Sequence, residues 1–541
     1  MTTYASIDHT TLRSRLAQAA RVEGDELAVV DVRETLAFSR SHLIFSTNLA
    51  HERLEVEAIR ALPRATVPIV LIADNDEAAA QSAARLQALG YTDISVMQGG
   101  LAAWQRAGLP LYAGFNVRSK AFAERVGHVK QTPSLDFETL TSHADQRPVL
   151  LDSRTVEEYR KNTVPGAIHV PGADLVRKVR DLVTDDTTPV VVACGGRTRS
   201  IIGAQSLIDA GLPNPVYALR NGTGGLRLQG VALESGANRE AEAASRAALA
   251  WAGAATEARV GAAIRKIAYE QYARWQQDVT RTLYTLDLRP AALFEQGHVP
   301  GSKAIAGGQL IQEIDLHAPV VGARIALVDD DDLVRARMTA HWLQELGGFE
   351  VAVVPYTELA EVARHGDLRA GAPVLPTDAS ISAADLHTLL SQQTAEVVIL
   401  DLSRSPAYLA AHLPRARWVW RAHLAAQLDT VPVPSTVILT SEDGALATWA
   451  WHDLHAIRAG HAPRADVRVL AGGNRSWIAA GYATDHDTGP PAQPYPDVWV
   501  GPQARGGDVL KHVRAYLDWE IDLVRQVGND ADFNALTRLQ H

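Results

Sequence analysis

The sequence predicts an α/β protein of four tandem units, each a small parallel sheet flanked by helices, with a helical linker and a C-terminal helix. Short apolar strands alternate with helical patterns, and one set of landmarks occurs four times in the chain. Strands that alternate with helices favour parallel sheets over antiparallel ones. A chain of 541 residues accommodates about three to five domains of ordinary size.

The first landmark is an apolar strand that ends in aspartate, as in LAVVD and PVLLD. The four aspartates are Asp31, Asp152, Asp287 and Asp401. The second landmark lies 11 residues after each aspartate and is His42, Thr163, His298 or His412. Because the two landmarks recur in step, they mark equivalent places in a repeated fold.

The third landmark is a second apolar strand that ends at a strand-to-helix turn. The residue at the turn is Asp74, Cys194, Asp329 or Ser441. Glycine turns then close three of the units, at residues 98–104, 220–226 and 471–477, whereas the third unit reads VVPYTEL instead. In parallel sheets, binding and catalytic sites form at the carboxyl ends of the strands. The turn at the third landmark is therefore where chemistry is expected.

These landmarks divide the chain into named segments. Unit 1 spans residues 1–118, unit 2 spans 130–236 and contains Cys194, unit 3 spans 278–370 and unit 4 spans 376–486. Residues 237–277 are rich in Ala, Glu and Arg and predict a linker of one or two helices. Residues 487–541 predict a loop and an amphipathic tail helix that packs back on the body. We further hypothesise that units 1 and 2 form one lobe and units 3 and 4 another.

Composition and charge exclude several classes of protein. The net charge is −10, and no cluster of Lys and Arg stands out, which argues against a nucleic acid or an anionic membrane as partner. No apolar run approaches the length of a membrane span, and the N-terminus lacks the apolar stretch of a signal peptide. The expectation is a cytoplasmic protein that carries no cofactor. The sequence is compatible with a homodimer.

The chain contains one cysteine, so Cys194 forms no disulfide within the chain. A lone cysteine is most often a small buried hydrophobic residue. Here it opens the segment Cys194-Gly195-Gly196-Arg197-Thr198-Arg199-Ser200, between a strand and a helix. A helix N-terminus offers free N–H groups and favours anions, and the glycines let the backbone curl around one. This pattern predicts a thiolate of lowered pKa that attacks an anionic substrate.

The other three units lack such a nucleophile. Asp74, Asp329 and Ser441 are good helix N-cap residues, so they are expected to cap the helix that follows. Unit 4 also departs at the first landmark, because Ser403 stands where the other units have Arg33, Arg154 and Arg289. We expect chemistry in unit 2 alone.

These motifs resemble the rhodanese (thiosulfate sulfurtransferase) family over about residues 5–486. The resemblance rests on DSRTVEEYRKNTVPGAIHVP at 152–171, on CGGRTRS at 194–200 and on the glycine turns. It implies a ping-pong reaction in which Cys194 takes sulfur from thiosulfate or a related persulfide donor and passes it to a thiol or cyanide. It also implies that residues 195–200 cradle the persulfide and that Asp152 and Arg154 support the loop. An ordinary structural ion pair explains those last two residues equally well.

Two other functions remain open at this point. A related phosphatase or arsenate reductase is expected to carry Cys, five residues and then Arg, whereas here position 200 is serine and Arg199 comes one residue too soon. A non-catalytic scaffold or regulatory binding protein would explain why three units lack the cysteine. A metal site is not expected, since His42, His298 and His412 share one repeat position and no HExxH spacing occurs.

Overall fold

A computed structural model describes residues 4–20, 25–142, 147–360, 373–392, 396–430, 436–457, 466–487 and 495–539. The predicted end of unit 3 at residue 370 lies outside the described residues. Residues 488–494, at the start of the predicted C-terminal loop, also lie outside them. The described chain alternates short strands with helices from its start to the end of unit 4. The predicted fold class is confirmed.

Unit 1 and the segment that follows it contain the first sheet. Its strands are β1 (Ala5–Ile7), β2 (Leu27–Asp31), β3 (Thr47–Asn48), β4 (Ile69–Ile72) and β5 (Ile94–Met97). Its helices are α1 (His9–Ala19), α2 (Thr35–Arg40), α3 (Leu54–Ala61), α4 (Asp76–Ala88), α5 (Gly100–Arg106) and α6 (Val117–Val129). Helix α6 leads directly into unit 2.

Unit 2 repeats the pattern. Its strands are β6 (Ser134–Leu135), β7 (Val149–Asp152), β8 (Ile168–His169), β9 (Val190–Ala193) and β10 (Val216–Leu219). Its helices are α7 (Phe137–Ser142), α8 (Val156–Lys161), α9 (Leu175–Leu182), α10 (Thr198–Asp209) and α11 (Gly222–Leu228). Strand β9 is buried along its whole length because helices cover both faces of the sheet.

The linker holds two helices, as predicted, and a short strand that the sequence did not predict. These elements are α12 (Arg246–Arg259), β11 (Arg265–Lys266) and α13 (Tyr269–Gln277). Strand β11 pairs with a strand of unit 3, so the linker contributes the edge of the third sheet. Two residues are too few to give a periodic signal in the sequence.

Units 3 and 4 complete the series. The elements of unit 3 are β12 (Leu283–Asp287), α14 (Ala291–Gln296), β13 (Lys303–Ala304), α15 (Gly307–Gln312), α16 (Ile314–His317), β14 (Val320–Val321), β15 (Arg324–Asp329), α17 (Val334–Leu346), β16 (Glu350–Pro355) and α18 (Tyr356–Leu359). Those of unit 4 are β17 (Ser380–Ile381), α19 (Ala383–Gln392), β18 (Val397–Asp401), α20 (Ser405–Ala410), β19 (Arg417–Trp418), α21 (Leu424–Asp429), β20 (Thr436–Thr440), α22 (Ala445–Ile457), β21 (Asp466–Leu470) and α23 (Gly473–Ala479). The tail forms α24 (Val509–Gly528) and α25 (Ala531–Leu536).

The described residues form four sheets with one strand order. That order is β6-β10-β9-β7-β8 in unit 2, and the same arrangement holds in the other three. In each sheet the landmark aspartate lies beside the strand that ends at the third landmark, as Asp152 pairs with Ala193 and Asp401 with Thr440. The parallel register therefore brings the first and third landmarks to the same edge of the sheet.

Strand β14 of unit 3 joins the sheet of unit 1. It pairs antiparallel with β2, with Val320 opposite Ala28 and Val321 opposite Leu27. The two units thereby share backbone hydrogen bonds and a continuous apolar core. The sequence analysis did not predict that β14 joins the first sheet, because a two-residue edge strand has no pattern of its own.

The arrangement of the units differs from the predicted lobes. Unit 4 contacts unit 1 through Arg421, whose guanidinium binds both carboxylate oxygens of Glu55 at 2.8 and 3.0 Å. Units 2 and 3 contact each other through Arg335, which donates to Asp174 at 2.6 Å, and through the close approach of Gly172 and Gly308. The hypothesis of pairs 1–2 and 3–4 is therefore wrong. Repeat spacing carries no information about which faces meet.

Helix α24 packs back on the body, as predicted. Its N-cap Asp508 accepts a hydrogen bond from the Lys511 backbone N–H, and its buried positions repeat at helical spacing. These positions are Val513, Leu517, Glu520, Leu523 and Val527. The helix lies against α6 and α11. Within the described ranges, we find no helix that is both long and apolar enough to span a bilayer.

We predict that Arg421→Met destabilises the protein by up to about 3–5 kcal/mol, because the buried Glu55 carboxylate then loses its two short ionic hydrogen bonds and keeps only Arg85, at 3.4 Å. Glu55 and Arg421 are both almost fully buried. The free energy of unfolding in urea measures the effect, and the double variant Arg421→Met with Glu55→Gln should recover part of the loss. A loss below about 0.5 kcal/mol, typical of an exposed pair, would contradict this prediction.

Candidate active site

Cys194 lies between β9 and α10 at the carboxyl end of the second sheet. Its thiol is free, and only 2% of the residue is exposed. Ser200, in the first turn of α10, lies beside the sulfur and lowers the pKa of the thiol, while its hydroxyl donates to the Arg197 carbonyl at 2.8 Å. The predicted placement of a thiol at a helix N-terminus is therefore what the structure shows.

The equivalent residues of units 3 and 4 hold the same helix position with oxygen. Ser441 Oγ accepts from the Ala447 N–H at 3.3 Å, and Asp329 Oδ2 accepts from the Ala336 N–H at 3.0 Å. Each N–H belongs to the third residue of its helix, as does that of Ser200. The expected capping role thus fits these two residues. It is wrong for Asp74. The sheet register pairs Asp31 with Ile72 as it pairs Asp152 with Ala193, so Ala73 takes the place of Cys194, and Asn75 caps α4 by accepting from the Ala78 N–H at 2.9 Å.

The glycine turn of unit 2 holds the backbone of the cysteine loop. The N–H of Thr223 donates to the Cys194 carbonyl at 2.9 Å, and that of Gly224 donates to the Gly195 carbonyl at 3.0 Å. Gly222 has a positive φ of 49°, and a Cβ there would overlap the Cys194 carbonyl oxygen. This residue must be glycine on both counts.

Asp152 and Arg154 form a buried, two-pronged ion pair. Arg154 Nε donates to Asp152 Oδ1 at 2.9 Å and Nη2 donates to Oδ2 at 2.7 Å. The same pair recurs as Arg33–Asp31 and Arg289–Asp287 in units that lack cysteine. The pair therefore has a structural role in every unit that carries it. Arg154 also lies beside the cysteine loop, with its Cδ 3.9 Å from a Cβ placed on Gly195.

Unit 4 binds its landmark aspartate, Asp401, without an arginine. Asn474 donates to Asp401 Oδ2 at 2.8 Å and to the Ser403 hydroxyl at 3.0 Å. The side-chain amide replaces the guanidinium that Ser403 cannot supply. This explains how unit 4 tolerates the departure seen in the sequence.

The two arginines of the cysteine loop are already paired with carboxylates. Arg197 binds Glu124 of α6 through Nε at 2.5 Å and Nη2 at 2.8 Å. Arg199 binds Glu158 through Nη1 at 2.6 Å and Nη2 at 2.8 Å, and it reaches Gln309 of unit 3 at 3.1 Å. The positive charge of the two loop arginines is therefore largely compensated. The sequence could not show this, because Glu124 and Gln309 lie far from the loop in the chain.

The predicted lowering of the thiol pKa is also wrong for the structure as it stands. Burial raises the pKa of Cys194, and the nearby Glu520 carboxylate acts in the same direction. The charge of Arg199 and the neighbouring Ser200 oppose this shift without reversing it. Removing the sulfur from water outweighs the helix terminus and the single arginine.

The burial comes from α24, which covers the cysteine loop. A Cβ on Gly196 would lie 2.6 Å from Glu520 Oε2, and one on Gly224 would lie 3.4 Å from Val513 and 3.5 Å from Leu517. Glycines in the cysteine loop and in the glycine turn thus leave room for α24. Glu520 and its neighbour Tyr516 were missed by the sequence analysis. The available signal was a glutamate on the apolar face of the tail helix.

Two polar atoms of the loop have no hydrogen-bond partner among the described residues. They are Thr198 Oγ1 and Arg199 Nε, and both are buried. Both belong to the segment that was predicted to cradle a substrate. They are the side-chain donors that the loop can still offer to a ligand.

A groove of about 690 Å³ runs beside the loop, between α24 and unit 2. Arg197 and Ser200 line its inner side, and Asp518, Asp522 and Arg525 line its outer side. Ser200 is thus in contact with both the groove and the sulfur of Cys194. The groove brings solvent close to the loop without exposing the sulfur.

The histidines of the second landmark are structural. His42 stacks on Phe38, His298 on Phe294 and His412 on Tyr408, with ring centroids 3.9 to 4.0 Å apart. Burial lowers the pKa of His42 to about 3, so it stays neutral. In the part of the chain that the structure describes, no group of His, Cys, Asp and Glu could hold a metal ion.

Comparisons with known proteins agree with these features. A model of the rhodanese-like domain matches residues 14–107, 137–227 and 382–480. The fold is similar to the crystal structure of a thiosulfate sulfurtransferase from Pseudomonas aeruginosa, with 38% identity, a TM-score of 0.88, and coverage of 99% of this chain and 100% of that one. A 3-mercaptopyruvate sulfurtransferase of Escherichia coli (strain K12) is 28% identical over 153 residues, which cover 24% of this chain and 54% of the relative. The chain thus spans about half the length of that curated relative.

We predict that Cys194 titrates above the value of an exposed thiol, about 8.5. Burial raises the pKa of this group, so the native protein should react slowly with iodoacetamide at neutral pH. The pH dependence of alkylation, followed by mass spectrometry, gives the midpoint. The same chain unfolded in urea serves as control, and a native midpoint below the unfolded one would refute the prediction.

We predict that Arg154→Met and Arg289→Met destabilise the protein to a similar extent, about 3–5 kcal/mol, because each leaves a buried aspartate unpaired. Arg154 lies beside the cysteine loop and Arg289 lies in unit 3. Loss of the Arg154 side chain should loosen the cysteine loop and expose the thiol. Arg154→Met alone should therefore raise the alkylation rate of Cys194. Equal rates in the two variants would show that Arg154 has no role beyond its ion pair.

Proposed function

Because the chain belongs to the rhodanese-like domain family, whose members include the sulfurtransferases it resembles, we propose that it transfers sulfane sulfur through a persulfide on Cys194. One observation carries the proposal. Among the four equivalent turns, unit 2 alone places a sulfur nucleophile against the first-turn N–H of the following helix. The equivalent residues of the other units are Ala73, Asp329 and Ser441.

In the first half-reaction, the Cys194 thiolate attacks the outer sulfur of a donor such as thiosulfate. The new bond joins Sγ to that sulfur, the sulfur–sulfur bond of thiosulfate breaks, and sulfite leaves with the bonding electrons. Cys194 then carries an anionic persulfide. In the second half-reaction, a thiol or cyanide takes the outer sulfur and Cys194 returns to the thiolate. Atoms and charge balance in each half without a cofactor.

The loop supplies groups suited to the charge on the terminal sulfur. N–H groups of residues 195–200 point from the start of α10, and Thr198 Oγ1 and Arg199 Nε are uncommitted. The glycine turn fixes the loop backbone from the other side. We assign the supporting role to Asp152 and Arg154, whose ion pair holds the end of β7 beside the loop.

The covered thiol fits this cycle if the resting enzyme stores the protonated form. Each unit of raised pKa costs about 1.4 kcal/mol in forming the thiolate. A displacement of α24 that lets water or substrate reach the loop removes the desolvation that causes the shift. The pocket would then combine a protected resting state with a reactive open one.

We predict that thiosulfate adds one sulfur, about 32 Da, to the intact protein and none to Cys194→Ala. Intact-mass spectrometry together with sulfite release measures the step. Ser441→Ala is the matched control, since Ser441 holds the equivalent turn in unit 4. It should load sulfur like the unaltered protein.

The outcomes separate this proposal from its alternatives. No added mass and no sulfite, with the fold intact, would favour a non-catalytic scaffold, which the burial of Cys194 in the described structure would then explain. Phosphate release from p-nitrophenyl phosphate that disappears in Cys194→Ser would favour a phosphatase. The pairing of Arg199 with Glu158 speaks against the latter, because that guanidinium is already bound.

A further inference from the structure

Glu520 places a buried carboxyl group against the cysteine loop. The residue is 2% exposed, and its Oε2 lies where a side chain on Gly196 would begin. Oε1 accepts a hydrogen bond from the Tyr516 hydroxyl at 2.8 Å, whereas Oε2 has no partner among the described residues. One oxygen is thus fixed by its own helix and the other is free beside the loop that carries Cys194.

Among the residues that the structure describes, no ion pair neutralises this carboxyl. No cationic nitrogen of the described residues lies within 4 Å of it. Lys120 of α6 is the charge that acts on it most, but the Lys120 ammonium donates to the Phe115 carbonyl and lies 5.3 to 5.7 Å from the ring centres of Trp499, Tyr516 and Trp519. The Glu520 carboxyl is therefore buried with little compensating positive charge.

The groups that act on Glu520 come from every element around it. Burial raises its pKa, and Glu124 of α6 adds to that shift. Lys120 of α6, Arg197 of the loop and Tyr516 of α24 lower it without cancelling the effect. The Glu520 charge in turn raises the pKa of Cys194. A carboxyl group whose pKa is raised keeps its proton to higher pH than usual and can donate it to a neighbouring group.

A purely structural role accounts poorly for this residue. An unpaired polar atom costs free energy when it is buried, and an apolar side chain would fill the same position on the apolar face of α24 without that cost. Buried carboxyls with a perturbed pKa beside a reactive group are typical of functional sites. The glycine at position 196 also leaves room for the carboxyl.

We propose that Glu520 transfers the proton when Cys194 passes its sulfur to a thiol acceptor. This inference rests on the proposed persulfide cycle and names the substrate class of its second half. The neutral carboxyl first protonates the outer sulfur of the persulfide, which makes that sulfur electrophilic. The resulting carboxylate takes the proton of the acceptor thiol. The acceptor thiolate attacks the outer sulfur, the bond to Sγ breaks, and Cys194 leaves as thiolate.

The step balances without a further reactant. An anionic Cys194 persulfide and one neutral thiol become a Cys194 thiolate and one neutral persulfide of the acceptor, and Glu520 ends in the form in which it began. An acceptor that has no thiol proton, such as sulfite, gains only the first of these two proton transfers. The site should therefore favour thiols over sulfite in a manner that depends on Glu520.

The test compares the two acceptors in Glu520→Gln. The protein is first loaded with thiosulfate, and loss of the added sulfur to dithiothreitol or to sulfite is then followed by intact mass. We expect unchanged loading, transfer to dithiothreitol slowed by about 100-fold, and transfer to sulfite slowed clearly less, because sulfite loses one proton transfer and the thiol loses two. Glu295→Gln, the same substitution at an exposed glutamate of unit 3, is the matched control and should change neither rate.

The pH profile supplies a second readout. Transfer to dithiothreitol should fall on the alkaline side as Glu520 loses its proton, and this limb should vanish in Glu520→Gln. Tyr516→Phe removes the hydrogen bond that lowers the pKa of Glu520, so the limb should move to higher pH. This variant keeps the carboxyl and tests the idea even if Glu520→Gln folds poorly.

The failures are distinguishable. Equal slowing with both acceptors, or no slowing with dithiothreitol, would overturn the role of Glu520 while the persulfide cycle stands. Failure of the unaltered protein to load sulfur would overturn the cycle itself.

Discussion

One close contact holds the carboxyl edge of three of the four sheets. The glycine turn lies against the backbone carbonyl that precedes the following helix. Gly222 lies against the Cys194 carbonyl, and Gly100 and Gly473 take the same position against Ala73 and Ser441. A side chain at any of these glycines would push the two turns apart. In unit 2 the contact fixes the loop from which the helix N–H groups and the thiol project. Unit 3 has no glycine turn, and its Asp329 is tied down by Arg335 at 2.9 Å instead.

Two opposing effects decide the state of the thiol. The start of a helix stabilises an anion by about 0.3–1 kcal/mol in ordinary settings. Complete burial can shift a pKa by several units, and each unit amounts to about 1.4 kcal/mol. Burial therefore wins while α24 covers the loop, and Arg199 cannot reverse the balance because Glu158 shares its charge. Access of solvent, rather than the composition of the loop, sets the reactivity of Cys194.

The sequence predicted what is local or repeated. The four aspartates, the turn that carries Cys194 and the glycine turns all follow from patterns within one unit, and the register of parallel strands brings them together. The sequence did not predict what depends on contacts between distant segments. Strand β14 joins the first sheet, Glu124 and Glu158 neutralise the arginines, and Glu520 covers the loop. The prediction for Asp74 failed for a smaller reason, because the sheet register aligns Ala73 with Cys194 and the cap of α4 is Asn75.

These distant contacts also give the segments that lack cysteine a physical part in the site. Glu124 belongs to α6, which follows unit 1; Gln309 belongs to unit 3; and Glu520 belongs to the tail. Without α6, Arg197 would lose its carboxylate partner, and without the tail the thiol would face water. Either change would make the loop more positive or more hydrated and so favour thiolate at rest. The additional units therefore act on unit 2 by covering its cysteine and raising the pKa of the thiol.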